Sequence, residues 1–179
     1  MKISFENDTA VLVIDMLEDF VREGGALEVP SARGVIENIR ELIRYARRKG
    51  SPVIFICDSH EPDDPEFKKF GWPPHAVKGT TGAKIIWELE PQPGDKIVEK
   101  KTYSGFFKTN LEGILNEMGI KKLVLTGCVT HICVLFTASD AVLRGFEVSV
   151  VEKGVAGLAE EDHQAGLRIM KNVLGVKII

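Results

Sequence analysis

Thr9-Ala-Val-Leu-Val-Ile14 is an unbroken apolar run, rich in β-branched residues and closed by Asp15. A strand with one wet face would alternate apolar with polar side chains. A short run without alternation suits a strand buried on both faces, as in a parallel sheet sandwiched between helices. The same kind of run recurs along the chain. Pro52-Val-Ile-Phe-Ile-Cys57 and Lys96-Ile-Val-Glu-Lys100 read as strands, as do residues 122–126, 146–151 and the closing Val176-Lys-Ile-Ile179. Helix-like segments separate them. Over 31–49, Ser31 is the expected cap, Val35, Ile36, Ile39, Leu42, Ile43 and Ala46 form one apolar stripe, and Gly50 ends it. Further helices are predicted over 109–118, near 130–144 and over 160–172. Strands alternating with helices imply right-handed crossovers. The expected architecture is α/β: a three-layer doubly wound fold, with a mostly parallel sheet of about six strands and helices on both faces. It forms one domain spanning 1–179.

With 179 residues, 44% of them hydrophobic and 27% charged, the chain has the composition of an ordinary globular protein. A net charge of −3 argues against a nucleic-acid surface, which needs a basic excess on one face. The basic cluster Arg44, Arg47, Arg48 and Lys49 reads instead as the solvated end of a helix, where cations suit the macrodipole. No apolar stretch approaches the ~20 residues that span a bilayer, and the first residues show no apolar signal core. Cys57, Cys128 and Cys133 make an odd count without a disulfide pattern. A cytoplasmic, reduced protein with a free thiol is expected.

In such sheets ligands bind beyond the carboxyl ends of the strands, where strand order reverses. Asp15, Asp58, Lys100 and the Gly127 loop all fall at that edge. Cys133 follows the run Leu123-Val-Leu-Thr-Gly-Cys-Val-Thr-His-Ile-Cys133 and lies three residues after Thr130, a plausible N-cap. A thiol in the first turn of a helix feels the positive dipole end, and a nearby Lys100 would favour the thiolate. Asp15 is suited to take the thiol proton and return it to a leaving group. Cys57 and Cys128 read as small buried hydrophobes. So could Cys133, but for its position.

Residues 59–95 break the rhythm, holding most of the eight prolines and no long periodic element. A long irregular loop in a compact domain is more often functional than idle. Asp58-Ser-His60 opens it and Pro73-Pro74-His75 follows, with Glu66 between. Alternation along an extended chain lets Asp58 and His60 face one cation. Two imidazoles with one or two carboxylates suit Zn²⁺, with Fe²⁺ or Mn²⁺ as substitutes. His163 is expected on the outer face of the last helix, and His131 is assigned no chemistry.

The sequence resembles the isochorismatase-like cysteine hydrolases, and within them most closely the nicotinamidase (pyrazinamidase) group, over nearly its whole length. The resemblance rests on Asp15-Met-Leu-Glu-Asp-Phe20 with Gly24-Gly-Ala-Leu27, on Asp58-x-His60, and on Trp72-Pro-Pro-His75 with Gly79-Thr-x-Gly82. Lys100-Lys-Thr-Tyr-Ser-Gly-Phe106, Gly127-Cys-Val-Thr-His-Ile-Cys133 and Thr137-Ala-Ser-Asp-Ala-Val-Leu-Arg-Gly-Phe146 complete it. It implies an Asp15, Lys100, Cys133 triad, and metal ligands Asp58, His60, Glu66 and His75. It further implies that Phe20, Trp72 and Tyr103 sandwich a pyridine ring. A cis peptide is implied just before Thr130, with the backbone N–H groups of Thr130 and Cys133 forming an oxyanion hole. The implied activity is hydrolysis of nicotinamide to nicotinate and ammonia in NAD salvage, by a homo-oligomer (dimer or tetramer). Two alternatives stand beside it: another small amide or ureido substrate, and a non-catalytic binding or assembly subunit. His131 stands where many relatives carry an acid, Lys153-Gly154 replaces an Asp-Ala pair, and Ser59 replaces a tryptophan.

Overall fold

A computed structural model of the chain describes residues 5–179. In chain order the elements are β1 (Thr9–Ile14), α1 (Glu18–Val21), α2 (Ile36–Arg48), β2 (Val53–Asp58), α3 (Pro65–Phe70) and β3 (Lys96–Lys100). Then follow α4 (Leu111–Glu117), β4 (Lys122–Cys128), α5 (Leu135–Leu143), β5 (Glu147–Ala156), α6 (Glu160–Asn172) and β6 (Lys177–Ile178). The strands form one sheet in the order β3-β2-β1-β4-β5-β6, and every pairing is parallel. The chain winds outward from β1 through β2 to β3, then crosses back to β4 and winds the other way. The strand order therefore reverses between β1 and β4.

The unbroken apolar strands follow from this placement. Leu12 and Ile14 of β1, Ile54 and Ile56 of β2, and Leu123 and Leu125 of β4 pack with Leu111, Ala138, Leu167 and Met170 on one face. Their neighbours Val11, Val13, Val53, Phe55 and Val124 pack with Ile39, Leu42, Ile43 and Ala46 of α2 on the other. Each such side chain, removed from water, contributes about 1.5–3 kcal/mol before entropy is counted.

The structure departs from the sequence reading at element ends. The helix expected from residue 31 begins as a 3₁₀ turn over Pro30–Val35 and becomes α-helical only at Ile36. Pro30 suits that first position because its φ is preset and its missing N–H is not needed. Ser31 does not cap; its hydroxyl donates to the Gly157 carbonyl at 2.6 Å, fastening this turn to the end of β5. The helix expected near 130–144 opens with a π turn over Thr130–Val134 before α5. The irregular stretch 59–95 contains α3 and a short 3₁₀ turn at Trp87–Leu89.

β4 and β5 run to Cys128 and Ala156, past the expected ends at 126 and 151. Glycines hid these extensions, because Gly is a poor strand former in isolation. At Gly127 the backbone has φ +109°, the ladder to β5 is bulged, and a Cβ would overlap the backbone of Ile14. Only glycine lets β4 close on β1 there. Replacing Gly127 by Ala should cost about 2 kcal/mol, or roughly 4–8 °C in Tm for a chain of this size. An unchanged Tm by calorimetry would mean that β1 and β4 can part to accept a methyl group.

Candidate active site

Four neighbouring strands deliver four chemical groups to one place. Asp15 directly follows β1, Asp58 ends β2, Lys100 ends β3, and Cys133 lies in the π turn after β4. The ladder places Asp58 directly opposite Lys100. Asp15 adopts the left-handed region at φ 51°, which folds the chain back at once. Its Oδ1 accepts the Asp58 N–H at 2.8 Å, fixing the carboxylate across β1 and β2. Lys100 is 2% exposed. Its ammonium is 2.8 Å from Asp15 Oδ2, forms a short ion pair with Asp58 Oδ1 and lies 3.6 Å from Cys133 Sγ. Donor atoms of Asp15, Asp58 and Cys133 all fall within 4.8 Å of one another. Among the described residues this buried oxygen has no further polar partner, so Lys100 is what holds its charge.

One ammonium thus serves two carboxylates, and the protonation states follow. Burial raises Asp15, the Asp58 charge raises it further, Lys100 pulls it back, and the result is about 6. Burial acts against ionised Asp58 too, but Lys100, His60 and His75 outweigh it and hold this carboxyl well below its ordinary range. Burial disfavours the Lys100 charge, yet Asp15 and Asp58 together raise its pKa well above the usual value. Burial also pushes the Cys133 thiol well up; Lys100 opposes this, while Asp15 and Asp58 add to it. Lys100 favours the thiolate, as expected, but its pull is outweighed by burial and by the two acids that it already neutralises.

Beside Cys133 lies a cavity with about 30 Å³ of free space, walled by Phe20, Leu27, Trp72, Tyr103, Ile132 and Leu158. A cavity that admits benzene measures about 150 Å³, so the walls must part for a ring to enter. Trp72 Nε1 donates to the Tyr103 hydroxyl at 3.3 Å, linking the irregular loop to the segment after β3. Leu27 and Ile132 lie in motifs quoted for the resemblance but were given no role there, and Leu158, an isolated aliphatic residue in a loop, carries no sequence signal for one.

Asp58 faces a second cluster with its other oxygen. Asp58 Oδ2 lies 3.8 Å from His60 Nε2 and 3.7 Å from His75 Nε2, too far for hydrogen bonds yet convergent on one point. His60 Nδ1 is 3.2 Å from Asp64 Oδ2 and His75 Nδ1 is 2.7 Å from the Pro73 carbonyl. Those oxygens only accept, so each Nδ1 carries the proton and a neutral ring leaves Nε2 free as a ligand. Burial opposes a charge on His60, but Asp58 and Asp64 outweigh it and raise its pKa, so this point favours positive charge. The donor set fits a divalent cation. Glu66 does not join this group of three. It forms another with His60 and Asp64, and burial raises its pKa. Asp64 was missed in the sequence, although Asp64-Pro65 is a helix-start signal and Asp64 does cap α3, its side chain accepting the Glu66 N–H.

The sequence matches the isochorismatase domain over residues 9–178. The chain belongs to the isochorismatase family. The pyrazinamidase of Pyrococcus horikoshii, solved in complex with zinc, is 35% identical and superposes with a TM-score of 0.90, covering 96% of this chain and 98% of that one. The N-carbamoylsarcosine amidase of Thermoplasma acidophilum is 38% identical with a TM-score of 0.86, covering 96% and 95%. An Arabidopsis thaliana protein named probable inactive nicotinamidase is 34% identical over 180 residues, covering 95% of this chain and 91% of its own length.

Within this isochorismatase domain, the turn that carries Cys133 differs in detail from the reading of its motif. The cis peptide joins Cys128 to Val129, one bond before the expected place. Val129 and Cys133 line the cavity; Thr130 is fully buried and does not. Nor does its side chain cap the helix, because the Thr130 hydroxyl is hydrogen-bonded to His163 Nδ1 at 2.8 Å. His163 therefore faces inward from α6 rather than outward. His131 packs its backbone against Gly166 of α6, and its buried Nδ1 has no hydrogen-bond partner among the described residues. Cys57 and Cys128 are buried, with Cys128 Sγ donating to the Asp15 carbonyl at 3.2 Å.

Replacing Lys100 by Met should leave Asp15 buried against the Asp58 charge with no ammonium to offset it, costing about 3–5 kcal/mol at neutral pH. Asp15, already raised in the folded state, would then rise further above its unfolded value. The penalty is therefore full above the folded value and fades as the pH falls toward about 4. Denaturation of both proteins across that range reads the deficit; one that did not shrink on acidification would contradict the shared-ammonium account.

Proposed function

We propose that the protein hydrolyses the carboxamide of a neutral, flat ring, with nicotinamide as substrate and nicotinate and ammonia as products. The observation that carries the reading is the cavity wall. Phe20, Trp72 and Tyr103 offer aromatic faces beside the thiol, and none of the described residues lining the cavity is Lys or Arg. Aromatic walls reward a ring by about 0.5–1.5 kcal/mol beyond area burial. A ureido acid would bring a carboxylate against these aromatic and aliphatic walls, which carry no Lys or Arg side chain to receive it.

In this scheme Asp15 accepts the Cys133 proton as Sγ attacks the amide carbon. The oxyanion is held by backbone N–H groups of the nucleophile turn. Cys133 supplies one, and the lining favours Val129 over Thr130 for the other. The Val129 carbonyl accepts from Ile132 and Val134 at 3.0 and 3.2 Å, on either side of Cys133. Asp15 returns the proton to the departing nitrogen, ammonia leaves, and a thioester remains. A water that loses its proton to Asp15 then cleaves the thioester, releasing the acid and restoring the thiol. Lys100 keeps Asp15 oriented and its charge balanced throughout. Asp58, His60 and His75 would hold a divalent cation, with zinc first and iron or manganese as substitutes, and it would supply a Lewis-acid contact for the ring nitrogen. Glu66, pointing into the same cavity, would complete the polar side of the site. The products would feed NAD salvage in a reducing cytoplasm, in keeping with three free thiols.

The alternatives are other small amide or ureido substrates and an inert binding subunit. Ammonia release measured side by side on nicotinamide, pyrazinamide and N-carbamoyl amino acids separates them. Nicotinamide is expected to lead, a preference for carbamoyl acids would overturn the substrate, and silence on all would favour the inert subunit. Cys133→Ala should lose turnover by several orders of magnitude while keeping its fold by circular dichroism. Because Asp15 must be ionised to accept the proton and titrates at about 6, kcat/KM should rise with pH through that value and level above it. A profile flat from pH 5 to 8 would remove Asp15 as the base. Dialysis against a chelator should abolish activity, and added zinc should restore it.

A further inference from the structure

We propose that Asp19 is a positioning residue that sets the direction of the His75 imidazole: its carboxylate and backbone hold three loops against the end of α1, and the carboxylate grips the one that carries His75. The inference rests on His75 being a metal ligand and concerns what holds it in place. Asp19 Oδ2 accepts the N–H of Ala76, the residue after His75, at 2.8 Å. On the opposite side, the carbonyl of Ala76 accepts the His60 N–H at 3.1 Å. Ala76 is fully buried and takes the left-handed region at φ 44°, a conformation that a side-chain acceptor at this N–H helps to hold. The His75-Ala76 step is thus suspended between α1 and the extension of β2.

The same residue organises two further turns. Asp19 Oδ1 accepts the Ala26 N–H at 3.4 Å, its carbonyl accepts the Leu27 N–H at 3.1 Å, and its own N–H donates to the Gly82 carbonyl at 3.0 Å. Two glycines of the sequence motifs, left without a role so far, are explained by this hub. A Cβ on Gly82 would overlap the Asp19 carboxylate, and a Cβ on Gly25 would overlap the Asp19 carbonyl. Both turns are thus pressed onto one side chain and its backbone. Phe20, the next residue, meets His75 edge to face at 5.5 Å, so the ring wall and the ligand are set from one short segment. Asp19 itself does not line the cavity, so its part is indirect.

The test is the zinc affinity of the folded protein, measured by competition with a chromophoric chelator, together with hydrogen exchange at the Ala76 amide. Asp19→Ala should weaken zinc by about 10- to 100-fold, the range for residues that support a ligand, and speed exchange at Ala76. Asp19→Asn keeps one oxygen for the Ala76 N–H and should recover most of the loss, a rescue that a merely structural role would not give. Gly82→Ala retains the carboxylate but displaces it, and should weaken zinc in the same direction. It carries the test if Asp19→Ala does not fold. Wild-type zinc affinity in both Asp19→Ala and Gly82→Ala overturns the proposal. Should the wild-type protein bind no zinc, the ligand reading of His75 falls. Exchange at Ala76 then decides: faster in Asp19→Ala supports the positioning role, and unchanged overturns it.

Discussion

A single buried ammonium governs this protein's chemistry. Taking Lys100 out of water costs several kcal/mol, and only charged partners inside the fold can offset it. Two are present, Asp15 and Asp58, so the cluster carries one surplus negative charge. Burial first, and that surplus second, raise Asp15 above an ordinary carboxyl and push the neighbouring thiol up. It also makes the far side of Asp58, where two imidazoles converge, hospitable to a cation. The base, the nucleophile and the cation site are consequences of one electrostatic arrangement.

The sheet supplies the geometry for it. Asp15, Asp58 and Lys100 sit on three adjacent strand ends and Cys133 just past a fourth, so their spacing is inherited from backbone ladders. The substrate walls come from elsewhere: α1, the stretch between β2 and β3, and the segments after β3 and β5. Chemistry is thus anchored on rigid strands and shape on loops, a division that lets one family keep its reaction while changing its substrate.

What the sequence showed tracks this division. The strands were readable because both faces of the sheet are covered, which turns alternation into unbroken runs such as Thr9–Ile14. The convergence of Asp15, Asp58, Lys100 and Cys133 was readable because each ends or follows such a run. The extensions of β4 and β5 were not, since Gly127 and Gly154 are tolerated only by what lies against them. Spacing revealed that a lysine lies near Cys133, not that burial and two acids outweigh its pull on the thiol. Asp19 and His163 act through hydrogen bonds to segments distant in the chain, which no local pattern encodes, and Asp64 was legible as a cap but not as the partner of His60.

Trp72, Tyr103 and their neighbours close around a chamber with about 30 Å³ of free space, enough for one or two water molecules and little else. A ring enters only when these walls part, so Trp72 on the irregular loop and Tyr103 after β3 must yield together or give up the hydrogen bond that joins them. Admission of a guest is thereby coupled to two segments far apart in the chain.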